Sequence, residues 1–268
     1  MKFQDSITKS SASNLASAAR SKSLFIVGSH QLFPLKCLTE YQNDLFLMVE
    51  DRAFGAPFKC HKQKLVFQLS SMRHYAKELR QHDFDVVYFE LRETQGYSYE
   101  TLLGKVLKQS QLIRITCFEF EDRTRENQLR QFCEENKIEI NILPSPAFLV
   151  SRADFKEFLK QERRPLPSSF YESQRRRLKI LMEPNGKPVG GAYSFHDEQR
   201  LRWSQKVPTP KFPVPVHDDI DKAVIKIVDQ EFADHPGEAM TLWYPTTRES
   251  AMEALNDFCK DRLPQYGP

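Results

Sequence analysis

Two rhythms of hydrophobic and polar positions alternate along the first 145 residues. Short apolar runs at 24–27, 45–49, 86–91, 113–118 and 138–143 have the length and composition of buried strands, the first ending at Gly28 and the second at Glu50 and Asp51. Between them the period changes to three and four. Residues 61–80 place Leu65, Leu69, Met72, Ala76 and Leu79 on one helical stripe. Residues 99–109 do the same with Leu102, Leu103, Val106 and Leu107, and residues 125–135 carry Leu129 and Phe132. Strands alternating with helices predict right-handed crossovers and therefore an α/β fold, a doubly wound five-stranded parallel sheet covered on both faces. Ligands of such sheets sit beyond the carboxyl ends of the strands, where the strand order reverses.

After Pro144 the strand rhythm stops and a mostly helical segment is expected. Ser151-Arg152-Ala153-Asp154 has the form of a capping box ahead of a short helix carrying Phe155, Phe158 and Leu159. A second helix is predicted over 168–182 with Tyr171, Leu178 and Met182 on its stripe, followed by a Pro- and Gly-rich stretch to residue 215. Asp218 caps a helix with Ile220, Ala223, Val224, Ile227 and Val228. Thr246-Thr247-Arg248-Glu249 opens a last one with Met252, Leu255 and Phe258. The organisation expected is a loose N-terminal extension over 1–22, an α/β domain over 23–146 and a helical connector over 147–268.

Composition narrows the class. Hydrophobic residues make up 40% of the 268 and charged residues 28%, so a packed core is expected and global disorder is excluded. No run of about 18 apolar residues is present, so no membrane span is expected. The polar, Ser-rich N-terminus lacks the apolar block of a secretory leader. The cysteines (Cys37, Cys60, Cys117, Cys133 and Cys259) show no C-x-x-C pair and fit the reduced thiols of a cytoplasmic protein. The net charge of +3 hides an uneven distribution. Residues 151–215 hold 14 Lys and Arg against 7 Asp and Glu, whereas 216–268 hold 5 against 11, so the basic stretch faces either an anionic partner or the chain's own acidic end.

Candidate chemistry is sparse. Gly28-Ser29-His30-Gln31-Leu32-Phe33-Pro34 follows the first strand without a G-x-G-x-x-G fingerprint, so no pyrophosphate cradle is expected there. Glu50 and Asp51 put carboxylates at the neighbouring strand end, suited to accept hydrogen bonds from a sugar or ribityl hydroxyl. His61-Lys62-Gln63-Lys64 sets cations at a helix N-terminus, against the macrodipole, a misfit that would suit an anion. His196-Asp197-Glu198 and His217-Asp218-Asp219 resemble metal ligands only in composition, since adjacent side chains diverge, and no metal is expected. G-x-S-x-G and H-E-x-x-H are absent, so no hydrolase is indicated. Arg175, Arg176 and Lys179 share a helical face that could touch phosphates, with Arg177 turned away.

Read in order, the loop from Gly28 to Pro34, Glu50, His61-Lys62-Gln63-Lys64-Leu65, Ser71-Met72-Arg73-His74-Tyr75-Ala76, Phe170-Tyr171 with Arg175-Arg176-Arg177, Lys187-Pro188-Val189-Gly190-Gly191, and Arg262-Leu263 ahead of Gly267 carry a resemblance. The chain resembles the deoxyribodipyrimidine photolyase-related proteins, the prokaryotic iron–sulfur branch of the photolyase/cryptochrome superfamily, which serves DNA photorepair or blue-light response. The resemblance implies a Rossmann-like antenna domain plus connector. Members of the family are about twice as long, and their second half binds FAD and an iron–sulfur cluster. Three places depart from the family: Gly190-Gly191-Ala192-Tyr193-Ser194-Phe195-His196 stands for Gly-Gly-x-Trp-Asn-Phe-Asp, Gln199 for the Asn before Arg200, and Phe120-Glu121-Asp122-Arg123 for Pro-Gly-Glu-Trp.

The resemblance further implies that Gly28, His30, Gln31 and Glu50 hold a lumazine- or deazaflavin-type antenna chromophore. It also implies that a flavin-bearing C-terminal half or separate chain completes the system, and that this chain alone, without the catalytic domain, repairs nothing. The three cations Arg175, Arg176 and Lys179 on one face would give only weak DNA contact without sequence preference. Connector side chains such as Phe155, Phe158, Ile220, Val224, Leu255 and Phe258 would then face the missing half and stand exposed. The alternative from another class is a stand-alone flavodoxin-like module binding a nucleotide or a partner.

Overall fold

The computed structural model describes residues 22–52, 58–162, 164–195 and 216–265. Residues 1–21 of the expected extension, the His196-Asp197-Glu198 cluster and Gly267 therefore lie outside the described residues. The described chain divides into two compact units, residues 22–147 with 216–252 and residues 148–195 with 253–265.

The first unit is built on a five-stranded, all-parallel sheet in the order β3-β2-β1-β4-β5. Its strands are β1 (Leu24–Ile26), β2 (Leu45–Val49), β3 (Asp85–Phe89), β4 (Arg114–Phe118) and β5 (Glu139–Leu143). Every residue of β1 and β2 is buried, as expected of central strands covered on both sides, while β5, at an edge, is largely open. Register is continuous: Leu24 pairs with Leu45 on one side and Ile115 on the other. This is the doubly wound α/β fold expected from the alternating pattern.

Side chains alternate between the two faces. On one face Phe25, Phe46, Met48 and Val86 pack against helix α1 (Lys62–Gln81) through Met72, Tyr75, Ala76 and Leu79. On the other, Leu24, Ile26, Leu47, Val49 and Cys117 pack against α2 (Tyr99–Ser110) and α3 (Arg123–Glu135). Capping side chains set the helix starts. Ser98 accepts from Thr101 N, and Asp122 accepts from Thr124 N and Arg125 N, which begins α3 two residues earlier than periodicity alone indicates. His61 Nδ1 caps α1 by accepting from Gln63 N.

The basic start of α1 serves docking within the chain. Lys62 pairs with Asp229 at 2.9 Å and Gln63 donates to Thr241, so these contacts tie down the segment around residues 229–241.

In sequence order two further helices, α4 (Arg152–Gln161) and α5 (Pro167–Leu178), belong to the second unit, and α6 (Asp219–Glu231) returns to the first. There Val224, Ile225 and Val228 of α6 bury against Leu65, Val66 and Leu69 of α1. Val224 is wholly buried, which corrects the expectation that it stands exposed. The final helix, α7 (Arg248–Asp257), begins in the first unit and ends in the second. The expected cap is shifted by one residue. Thr247 Oγ1 accepts from Ser250 N, while the Thr246 hydroxyl donates to Asp221.

In the second unit the expected capping box is present, Ser151 and Asp154 bonding reciprocally at the start of α4. Phe155 and Phe158 both meet the ring of Phe170, so Phe158 is buried rather than exposed. Helix α5 stops at Leu178, four residues short of the predicted end, because Lys179 and Leu181 take left-handed conformations. The Arg175 guanidinium then donates to the carbonyls of Ile180, Leu181 and Tyr193.

Candidate functional site

A cavity of about 540 Å³ opens beyond the carboxyl ends of β1, β2 and β4, on the side of the sheet that carries α2 and α3. Between β1 and β4 the strand order reverses, the place where parallel sheets bind ligands, and the volume lies in the usual range for small-molecule sites. Val27 and Val49 form its floor at the strand ends. Leu103, Leu129, Phe120, Phe132 and Tyr99 supply apolar and aromatic walls. A flat heterocycle packs well against such rings.

Polar groups gather at the rim. The Asp51 carboxylate, just past β2, pairs with the Arg125 guanidinium on the first turn of α3, and Arg125 also lies over the Tyr99 ring, 5.4 Å from its centre. Burial raises the Tyr99 phenol above its ordinary pKa, against the pull of Arg125, so Tyr99 is a neutral donor at physiological pH. Asp122, Thr124 and Gln128 continue the rim along α3. His30 pairs with Glu121 and meets the edge of Phe120. Ser29 accepts a hydrogen bond from Gln68 at 2.6 Å. No lining residue is a cysteine, and Ser29 receives its bond from an amide instead of handing a proton to a base. Among the described lining residues no nucleophile–base pair is formed.

Of the four residues expected to hold a chromophore, two line this cavity. Gly28 lies at its floor, where a Cβ would come within 3.2 Å of Gln31 Oε1, and His30 lies at its rim. Gln31 is buried behind Gly28 and donates to the Glu119 carbonyl at 2.8 Å, so it supports the loop from outside the lining.

Glu50 is turned to the opposite face and is fully buried. Its carboxylate accepts from Arg73 Nε at 2.7 Å, Arg73 Nη2 at 3.0 Å, Tyr88 OH at 2.6 Å and Leu91 N at 2.7 Å. Burial disfavours the Arg73 charge, but the bonds and charge of Glu50 outweigh it and raise its pKa. Strand alternation is the reason: Val49 belongs to the α2/α3 face, so Glu50 must point towards α1 and Asp51 back towards the cavity. Asp51, of the two strand-end carboxylates named in the sequence, is the one that reaches the cavity, whereas Tyr99, Arg125 and Phe132 are site residues that sequence reasoning did not assign to it.

The expected phosphate-facing trio also separates. Arg175 is buried and bonded to three carbonyls, so it does not share an exposed face with Arg176 and Lys179. Arg176 and Lys179 are exposed, with Arg176 over the Tyr193 ring at 5.0 Å.

Comparison with known proteins adds context. The family model described as deoxyribodipyrimidine photo-lyase-related protein matches residues 25–244. A (6-4) photolyase of Agrobacterium fabrum (strain C58 / ATCC 33970) is 28% identical over 228 residues, covering 84% of this chain and 45% of that protein. An uncharacterized protein of Acanthamoeba polyphaga mimivirus is 23% identical over 196 residues, covering 69% of this chain and 97% of the viral protein. The chain thus spans less than half the length of the photolyase and nearly all of the viral relative.

Proposed function

Because this chain belongs to the deoxyribodipyrimidine photolyase-related family, we propose that its α/β unit is an antenna module whose cavity holds a lumazine- or deazaflavin-type chromophore. The cavity between Asp51–Arg125 and the rings of Tyr99, Phe120 and Phe132 carries this reading. Its aromatic walls suit a flat ring system, and its rim offers both a carboxylate acceptor for hydroxyl or ring N–H groups and a guanidinium donor for ring carbonyls. When bound, such a chromophore absorbs near-ultraviolet or blue light and passes the excitation to a flavin. Tyr99, Phe120 and Phe132 would hold its ring plane and shield its faces from water, and Asp51 and Arg125 would hydrogen-bond its polar edge. The flavin and the iron–sulfur cluster would belong to a C-terminal half or a separate chain, and repair would need that partner. Location in the cytoplasm fits the same reading.

The test is reconstitution of the purified chain with 6,7-dimethyl-8-ribityllumazine, read by fluorescence anisotropy and by the bound absorption band. Wild type should bind, and Asp51→Ala and Arg125→Ala should each weaken binding by about 1–3 kcal/mol. Equal binding by wild type and both variants would remove the cavity from the function. A second reading has its own support in the viral relative, which is covered almost end to end. It is a stand-alone nucleotide- or partner-binding module, and a preference for a nucleotide over lumazine in the same titration would favour it.

A further inference from the structure

We propose that His74, Asp218 and Asp221 bind one divalent transition-metal ion, zinc by its ligand chemistry, which staples the start of α6 to α1. The site lies on the α1 side of the sheet and is independent of the antenna reading.

Three ligand types from two distant stretches converge there. His74 sits on α1 with its side chain 10% exposed, Asp218 caps α6, and Asp221 lies in the first turn of α6, almost wholly buried. One ligand atom from each lies within 4.8 Å of the others. His74 Nε2 is 3.4 Å from Asp221 Oδ1 and 3.6 Å from Asp218 Oδ1. The first is a long hydrogen bond, and the second exceeds hydrogen-bond distance. They match the edge, roughly 3.4 Å, of a tetrahedron whose centre is about 2.0–2.1 Å from nitrogen and oxygen ligands. A second imidazole, His217 Nδ1, stands 3.6 Å from the other Asp221 oxygen.

The surroundings hold these ligands in place. Thr246 donates to Asp221 Oδ1 at 2.9 Å, and Asp218 Oδ1 accepts from Ile220 N and Asp221 N, so both carboxylates are oriented by outer hydrogen bonds, as metal ligands generally are. Ser70, one turn before His74 and wholly buried, places its hydroxyl beside the same Asp221 carboxylate. The N-terminal dipole of α6 opposes a cation. Two carboxylates facing one another outweigh it, since a dication cancels their charge. His217-Asp218-Asp219 alone does not chelate; the missing ligand is His74, 144 residues earlier, supplied by the packing of α6 on α1.

The experiment uses the full chain freed of metal with a chelator, then titrated with Zn²⁺, and with Co²⁺ as an optical probe. One equivalent of Zn²⁺ should bind and raise the melting temperature, and Co²⁺ should give tetrahedral visible bands without thiolate charge transfer. His74→Ala and Asp218→Asn should each weaken binding at least about tenfold, the lower end of what outer-shell changes alone cost. Asp218→Asn keeps a capping oxygen, so its fold, checked by circular dichroism, is retained. No stabilisation of wild type by Zn²⁺, undiminished binding by the two variants, or a thiolate spectrum placing the ion on cysteines would each overturn the site.

Discussion

Glu50 and Asp51 are neighbours in the chain and face opposite sides of the sheet: Glu50 locks Arg73, Tyr88 and Leu91 on the α1 side, and Asp51 meets Arg125 at the cavity. Their substitutions should therefore separate. Glu50→Ala leaves the largely buried Arg73 without its main counter-charge and should cost roughly 3–5 kcal/mol in urea unfolding. Asp51→Ala should change stability by less than about 1 kcal/mol and act on chromophore affinity instead. A Glu50 variant with unchanged unfolding and lost lumazine binding would reverse the two assignments.

How much of this was legible depends on how far apart the cooperating residues lie. The continuous apolar runs of β1 and β2 and the stripe of α1 are local patterns, and the elements fall within a residue or two of their expected bounds. The facing of Asp51 was also legible, because period-two alternation from Val49 turns Glu50 away from the α2/α3 side. Arg125 was not, because as a residue in the first turn of a helix nothing local marks it as reaching β2. The end of α5 was hidden for a similar reason. Leu178 and Met182 keep a helical spacing, yet Arg175 takes the carbonyls of Ile180 and Leu181, and the chain turns through left-handed residues instead.

The thiols should report burial through their pH dependence. Burial pushes Cys117 up to about 12 and Cys133 up to about 11, while Cys259 is exposed. With iodoacetamide at pH 8, Cys259 should react first, and Cys117 and Cys133 only after unfolding. The sign of the linkage follows. Folded pKa values above the ordinary 9.0 mean the folded state keeps protons that the unfolded state releases, so stability falls as pH climbs from about 9 towards 12. Cys117→Ala/Cys133→Ala should flatten that alkaline limb, and an unchanged limb would exclude these thiols as its cause.

The second unit exposes large apolar side chains, among them Phe148 at 61%, Leu149 at 72% and Leu181 at 60%. Scattered exposed leucines are ordinary, but several within one small unit favour association or a covering partner. The full chain at neutral pH should bind an apolar-surface dye such as ANS or self-associate on sedimentation. A dye-silent monomer would mean that this unit needs no cover.

Weak DNA binding, if this chain has it, should rest on Arg176 and Lys179 and not on Arg175. The Arg175 guanidinium bonds three carbonyls in its own unit, and withdrawing it to meet a phosphate would leave those acceptors and a tight turn unsupported. Two exposed cations neutralise at most two phosphates, so log K should fall against log salt with a slope of about −2 on duplex DNA. Arg176→Ala/Lys179→Ala should remove most of that slope, with no discrimination between damaged and intact duplex. Arg175→Ala should instead raise protease sensitivity around residues 179–193 while leaving the slope near −2. A steeper slope, or one abolished by Arg175→Ala in a protein whose unit remains protease-resistant, would place DNA on a surface other than the exposed end of α5.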